Sequence, residues 1–205
     1  MKMPVYAKKS ANMSAHLERL GFSSDVQRKI GAFIVVWSMF ETSLERAVWA
    51  IRAENVKGVL PSTDKTPVSE WIKTLRTQST NLPPQSRELI QMAATVADDI
   101  LEYRNSITHG HIVPYGDSTS FVRNPKWHGE QRTRPSSEAH VDENLLDMAI
   151  DTVGVLHSFC LHMPAVCADQ KNTQKFLALR PDITRARSQA GELRHLSALM
   201  NHEKW

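Results

Sequence analysis

The 205-residue chain has little cysteine, little glycine and no long apolar run. Its two cysteines, Cys160 and Cys167, exclude a disulfide framework. They fall seven apart in a helical pattern, roughly 10 Å along a helix axis, too far to bridge. Two thiols in a reducing compartment are the expectation. Eight glycines and ten prolines exclude collagen-like and low-complexity designs. The opening MKMPVYAKKS has no apolar stretch of the kind a signal peptide needs. The longest apolar run, residues 32–40, is broken by Ser38 and closed by Glu41. That is well short of the ~20 residues of a membrane span. A soluble, cytoplasmic protein without membrane association is expected. No Gly-rich phosphate loop and no Gly-x-Ser-x-Gly elbow occurs, which disfavours nucleotide kinases and hydrolase triads. There is no internal repeat.

What is present is an ordinary globular balance, 41% hydrophobic and 23% charged, at a length that suits one domain. The formal charge of +3 is unevenly spread: residues 171–205 carry +4 and the rest of the chain −1. The apolar residues recur with helical spacing. Ser24-Asp25-Val26-Gln27 reads as a capping box opening a helix over 24–54. Phe33, Val36, Trp37, Phe40, Leu44, Ala47, Val48 and Ile51 form its apolar face. Thr66-Pro67 opens a short helix over 67–79, carrying Val68, Trp71, Ile72 and Leu75. A third helix, about 85–109, carries Leu89, Met92, Ala93, Val96, Ile100, Tyr103 and Ile107 as one stripe, and Gly110 suits a left-handed C-cap.

From 111 to 140 turn residues dominate: Pro114, Gly116, Asp117, Asn124, Pro125, Gly129 and Pro135. His111-Ile112-Val113 and Thr119-Ser120-Phe121-Val122 are β-prone and read as a small hairpin. A fourth helix starts near Asp142, with Leu145, Ala149, Leu156, Phe159, Cys160 and Met163 on its stripe, and Pro164 ends or kinks it. A last helical stretch, about 182–202, carries Ile183, Leu193, Leu196 and Leu199 or Met200. The expected architecture is all-α: an up-down four-helix bundle, an irregular or β-hairpin insertion before the last core helix, and a C-terminal helical tail. The expected organisation is an N-terminal leader (1–23), the bundle (24–170, with the insertion at 111–140) and a basic tail (171–205). The tail is a candidate for RNA or partner contact, and its packing on the bundle or on a dimer partner stays open at this point.

The stretch that carries chemistry is Arg104-Asn105-Ser106-Ile107-Thr108-His109. Asn105 and His109 are an i,i+4 pair, and with Arg104 they occupy a polar arc opposite the core stripe at a helix end. One account of such residues is local, because Arg and His in a last turn satisfy carbonyls and the helix dipole. The spacing also resembles the RNxxxH form of the Rx4-6H motif of the HEPN superfamily of nucleotide-binding helical bundles. The helix carrying Gly31-Ala32-Phe33, Trp37, Glu41 and Ile51 looks like the opening helix of such bundles, and the likeness covers about 24–165.

The resemblance implies a homodimer whose two arcs line one composite cleft, acting as a metal-independent endoribonuclease without cofactor. His109 would serve as general acid or base. Arg104 would bind the scissile phosphate, and Asn105 would orient His109 or the phosphate. The nucleophile would be the 2′-hydroxyl of the RNA substrate. Such proteins serve as toxins or in anti-phage defence, restrained by an antitoxin, a regulatory RNA or a partner subunit. Two rivals stand beside this: a HEPN module that dimerises or binds RNA or nucleotide without cleaving it, and a purely structural helical adaptor.

Glu41, at the margin of the first apolar face, is placed to pair with Arg104 or to tune His109, or to lie solvated. Asp98 and Asp99 fit local salt bridges. His109-Gly110-His111 lacks the carboxylate or cysteine ligands of a metal site, so no metal is expected. In the insertion, Arg123, Lys126, Arg132 and Arg134 face Glu130 alone, interleaved with Trp127. Basic side chains with aromatics suit single-stranded RNA, through phosphate contact and base stacking. A solvated loop packed on the bundle would carry the same residues.

Overall fold

The computed structural model describes residues 4–115, 118–134 and 136–202. Gly116, Asp117 and Pro135 of the expected turns, and Glu203 and Lys204 of the tail, lie outside the described residues, as do the side chains of Tyr115, Leu199 and Met200. The chain is mostly helical with one small antiparallel sheet. Helix α1 spans Val5–Arg19, α2 Ser24–Ile51, α3 Val68–Gln78 and α4 Pro84–His109. Strands β1 (His111–Tyr115), β2 (Ser118–Arg123) and β3 (Ser137–Val141) follow, then α5 (Glu143–Ala168), α6 (Thr173–Leu177) and α7 (Arg180–His202).

Helix α2 begins one residue earlier in capping terms than the capping box implies. Ser23 is the N-cap, its hydroxyl accepting from the Val26 N–H at 3.1 Å. Gln27 instead donates to the Phe22 carbonyl. From there the apolar face does what its spacing demands. Phe33, Trp37, Phe40, Leu44, Ala47 and Val48 are all buried, each large side chain worth about 1.5–3 kcal/mol of transfer free energy.

Four long helices run up, down, up and down: α2, α4, α5 and α7. Helices α2 and α5 point the same way, since Lys29 meets Asp147 near their starts and the His157 ring reaches Ser43 near their middles. Helices α4 and α7 also share a direction, with Arg180 on Glu88 and Arg194 on Asp99. The bundle's fourth member is thus α7, and the short α3 flanks it. The packing left open for residues 171–205 is seen in α7, which buries Ile183, Ala186, Ala190 and Leu193 against α4 and α5. Arg180, Arg185 and Arg194 are all engaged in ion pairs on the bundle surface.

Of two expected breakers, Pro164 does not end its helix and Gly110 is not a left-handed cap. Helix α5, capped by the Asp142 carboxylate on the Leu145 N–H, continues through Pro164 to Ala168. Met163 and Val166, buried on either side, hold it in register against the proline penalty of about 3 kcal/mol. Gly110 is extended (φ −84°, ψ 163°) rather than left-handed, because the chain passes straight from α4 into β1. Glycine is needed there for space: a Cβ would run into the Ser106 carbonyl and the Phe121 side chain. Helix α5 is also the one described helix long and apolar enough, by length and composition, to cross a membrane. Residues from Leu146 to Val166 along one of its faces are core.

The hairpin forms in the expected place, with His111 opposite Val122 and Val113 opposite Ser120. A third strand, β3, pairs with β2 and makes the insertion a sheet. Its Ala139 and Val141 are core, and the buried Tyr103 hydroxyl donates to the His140 carbonyl at 2.7 Å, tying sheet to α4. Both cysteines are free, and burial pushes the Cys160 thiol well above its ordinary range.

Candidate functional site

The last two turns of α4 are where bundle and sheet meet. Successive core residues Ile100, Tyr103 and Ile107 fix the helix's rotation. That rotation sends Arg104 toward α2 and sets Glu102, Asn105 and His109 along a different, more open side.

Arg104 is held on three sides. Its guanidinium carbon sits 5.5 Å from the centroid of the Trp37 ring. One Nη donates to the Asn105 Oδ1 at 3.0 Å, and the other lies 3.7 Å from the Glu41 carboxylate. Glu41 is itself fixed, its Oε1 accepting from the Trp37 Nε1–H at 2.6 Å. Trp37 is buried at 1% exposure, so this platform is rigid. The Arg104 Nε–H is buried and makes no hydrogen bond among the described residues. Arg104 and Glu41 keep 25% and 28% of their side chains in solvent. A guanidinium presented this way is pre-aimed while part of its edge stays reachable.

The structure therefore brings Arg104, Asn105 and Glu41 together. His109 is the last residue of α4, exposed, one turn beyond Asn105 on the same side. Trp37 was not singled out by sequence, where it reads as core. The available signal was its i,i+4 spacing to Glu41, which lets an indole N–H reach a carboxylate on the same helix.

The expected RNA-binding residues are not equivalent. Arg123 is turned into the junction of sheet and helix. Its Nε donates to Ser137 Oγ at 3.0 Å, Ser137 shares a hydrogen bond with Ser106 at 2.8 Å, and an Nη lies 3.9 Å from Glu102. Its side chain is only 17% exposed. Lys126, Arg132 and Arg134 stand exposed on the loop between β2 and β3. Arg132 grips the Glu130 carboxylate at 2.8 Å, which holds that carboxyl down at about 2. Trp127 is 59% exposed, with its ring 5.5 Å from the His111 ring beside the end of α4.

A groove of about 430 Å³ runs along α4 and ends at Asn105 and Arg123. Asp98 and Asp99 face it, ion-paired as expected, though with Arg76 and Arg194 on other helices rather than with local partners. Burial raises the Asp99 carboxyl, while Arg194 pulls against that rise. Among the described residues no cluster of three or more histidine, cysteine or carboxylate side chains is arranged to hold a metal ion. No family model, curated protein or solved structure matches the chain.

Proposed function

We propose that the protein is a HEPN-like, metal-independent endoribonuclease. The observation that carries the proposal is the braced Arg104. A guanidinium held by Trp37, Glu41 and Asn105, one turn from an exposed histidine, suits a phosphodiester. Arg104 neutralises the non-bridging oxygens and the extra charge that develops as the 2′-oxygen attacks phosphorus. His109 takes the proton from the 2′-hydroxyl or gives one to the departing 5′-oxygen. Asn105 sets the orientation of Arg104. The bond from phosphorus to the 5′-oxygen breaks, leaving a 2′,3′-cyclic phosphate and a 5′-hydroxyl. DNA, lacking the nucleophile, is left intact.

The functional unit in this proposal is a homodimer in which two such arcs share one cleft, since the motif of one copy supplies a single histidine for two proton transfers. The exposed Trp127 and the loop cations Lys126 and Arg134 supply base stacking and backbone attraction. The cell compartment is the cytoplasm, and the role is that of a toxin or anti-phage effector restrained by an antitoxin, regulatory RNA or partner subunit.

A second reading is favoured by the same brace. Glu41 offsets the charge of Arg104, as a non-catalytic module that binds RNA or nucleotide and dimerises would tolerate. Incubating labelled RNA with the protein in EDTA separates the two. Cleavage that is lost in both Arg104→Ala and His109→Ala supports the nuclease. RNA retention without cleavage supports the module, and cleavage undiminished in His109→Ala overturns the site.

A further inference from the structure

The groove beside the motif is chemically unlike a phosphate channel. Three carboxylates, Asp98, Asp99 and Glu102, line it beside Arg123 and Arg194, so acids and bases nearly balance and no excess of positive charge is offered to a phosphate backbone. Asp98 and Asp99 are in close contact with their arginines. Glu102 and Arg123 are different, because at 3.9 Å they lie beyond hydrogen-bond distance and each keeps its hydrogen-bonding edge. Glu102 is 59% exposed. Arg123 is anchored through its Nε to Ser137, and Ser137 to the buried Ser106, so the plane of its guanidinium is set before any ligand arrives.

Side by side, a fixed pair of guanidinium donors and a carboxylate with two acceptor oxygens form a reading edge. Its complement has one acceptor next to two adjacent donors. Among the four RNA bases that pattern is the O6, N1–H and N2–H edge of guanine. Adenine and cytosine present one exocyclic amine beside acceptors, and uracil one imino between two carbonyls. The partly buried Leu101 supplies an apolar surface for the base plane, and Asn105 joins the groove to Arg104. The volume lies within the range of small-ligand sites.

We propose that Glu102 and Arg123 bind a guanine base at this groove, adjacent to the phosphate that Arg104 holds. The proposal names the base preference of the nuclease reading and rests on that reading for its RNA context. The test is calorimetric titration of the full-length protein with the four nucleoside 5′-monophosphates, followed by mapping of RNA cut sites. The wild type holds GMP at least about tenfold tighter than AMP, CMP or UMP, a difference of about 1.4 kcal/mol. Glu102→Gln, which replaces one acceptor with a donor, abolishes the preference while its circular dichroism melt is unchanged. Arg123→Lys keeps a cation on Ser137 and weakens GMP binding.

Equal affinities, no nucleotide binding, or a GMP preference that survives Glu102→Gln overturns the proposal. A GMP preference without RNA cleavage would sink the nuclease reading and leave the base site standing. Cleavage with no guanine preference in binding or at mapped cuts sinks the base site alone.

Discussion

Arg104 is held by Trp37, Asn105 and Glu41, and these neighbours differ in what they contribute. The Glu41 ion pair is partly exposed and long, so it adds at most about 1 kcal/mol to stability. Glu41→Gln keeps an acceptor for the Trp37 indole and removes only the charge. The expected outcome is a melt shifted by no more than that, with RNA cleavage reduced, read by parallel denaturation and activity assays. His109 is exposed at a helix end, so His109→Ala should change stability by no more than about 0.5 kcal/mol. Its cleavage rate should fall by roughly 10²–10⁴. That split separates a chemical role from a structural one. Gly110→Ala should behave oppositely, costing about 1–3 kcal/mol by overpacking against Ser106 and Phe121.

Much of this was legible in sequence because it follows from one helix's phase. The stripe from Leu89 to Ile107 fixes where Arg104, Asn105 and His109 point. Arg123 was not legible in its actual setting. Nothing local in Phe121-Val122-Arg123 shows that Ser106 and Ser137, from different elements, meet to anchor it. Lys126 and Arg123 look alike as basic insertion residues, and only the fold separates a solvated cation from an anchored one.

Among the elements, α7 shows why the rest escaped. The net charge of +4 over residues 171–205 suggested a basic appendage, yet the small apolar residues of α7, Ala186 and Ala190 among them, pack closely on α4 and α5. Ending the chain before Arg180 should expose those faces, abolish a cooperative melt and raise dye binding to apolar surface. A truncated chain that melts within a few degrees of the intact one would contradict this placement. Strand β3 escaped for a related reason: five residues between turn-rich segments become a strand only because β2 offers an edge.

The loop between β2 and β3 should respond to acid. Arg132 and the loop's backbone N–H groups hold the Glu130 carboxyl at about 2, below its ordinary value of 4.5. The order this brings is complete above the ordinary value and is lost as pH falls from about 4.5 towards about 2. Amide exchange at His128 should speed up over that window, relative to amides in α4. Flat protection across it would show that the Glu130 contacts do not order the loop.

For the whole molecule, the long helices share one core, and the proposed site gathers at one end, where α4 runs into the sheet. A dimer brought together at that end would sediment at twice the 23.2 kDa chain mass. An active enzyme that stays strictly monomeric would contradict the shared cleft. The overall charge of +3 understates the surface. Several arginines of α7 are tied to Glu88, Asp99 and Asp151, so in the proposed nuclease RNA attraction would fall to the loop cations instead. Raising salt should therefore weaken RNA binding with a shallow slope that flattens further in Lys126→Ala/Arg134→Ala.

The most direct test of the central claim is the chemistry of the product ends. Purified protein is incubated in EDTA with an RNA and with its counterpart carrying a single 2′-deoxy substitution at the mapped cut. Mass spectrometry should find a 2′,3′-cyclic phosphate and a 5′-hydroxyl from the RNA, no cut at the substituted position, and neither product from His109→Ala. A 3′-hydroxyl paired with a 5′-phosphate, or equal cutting of the substituted strand, would contradict attack by the 2′-hydroxyl at this site.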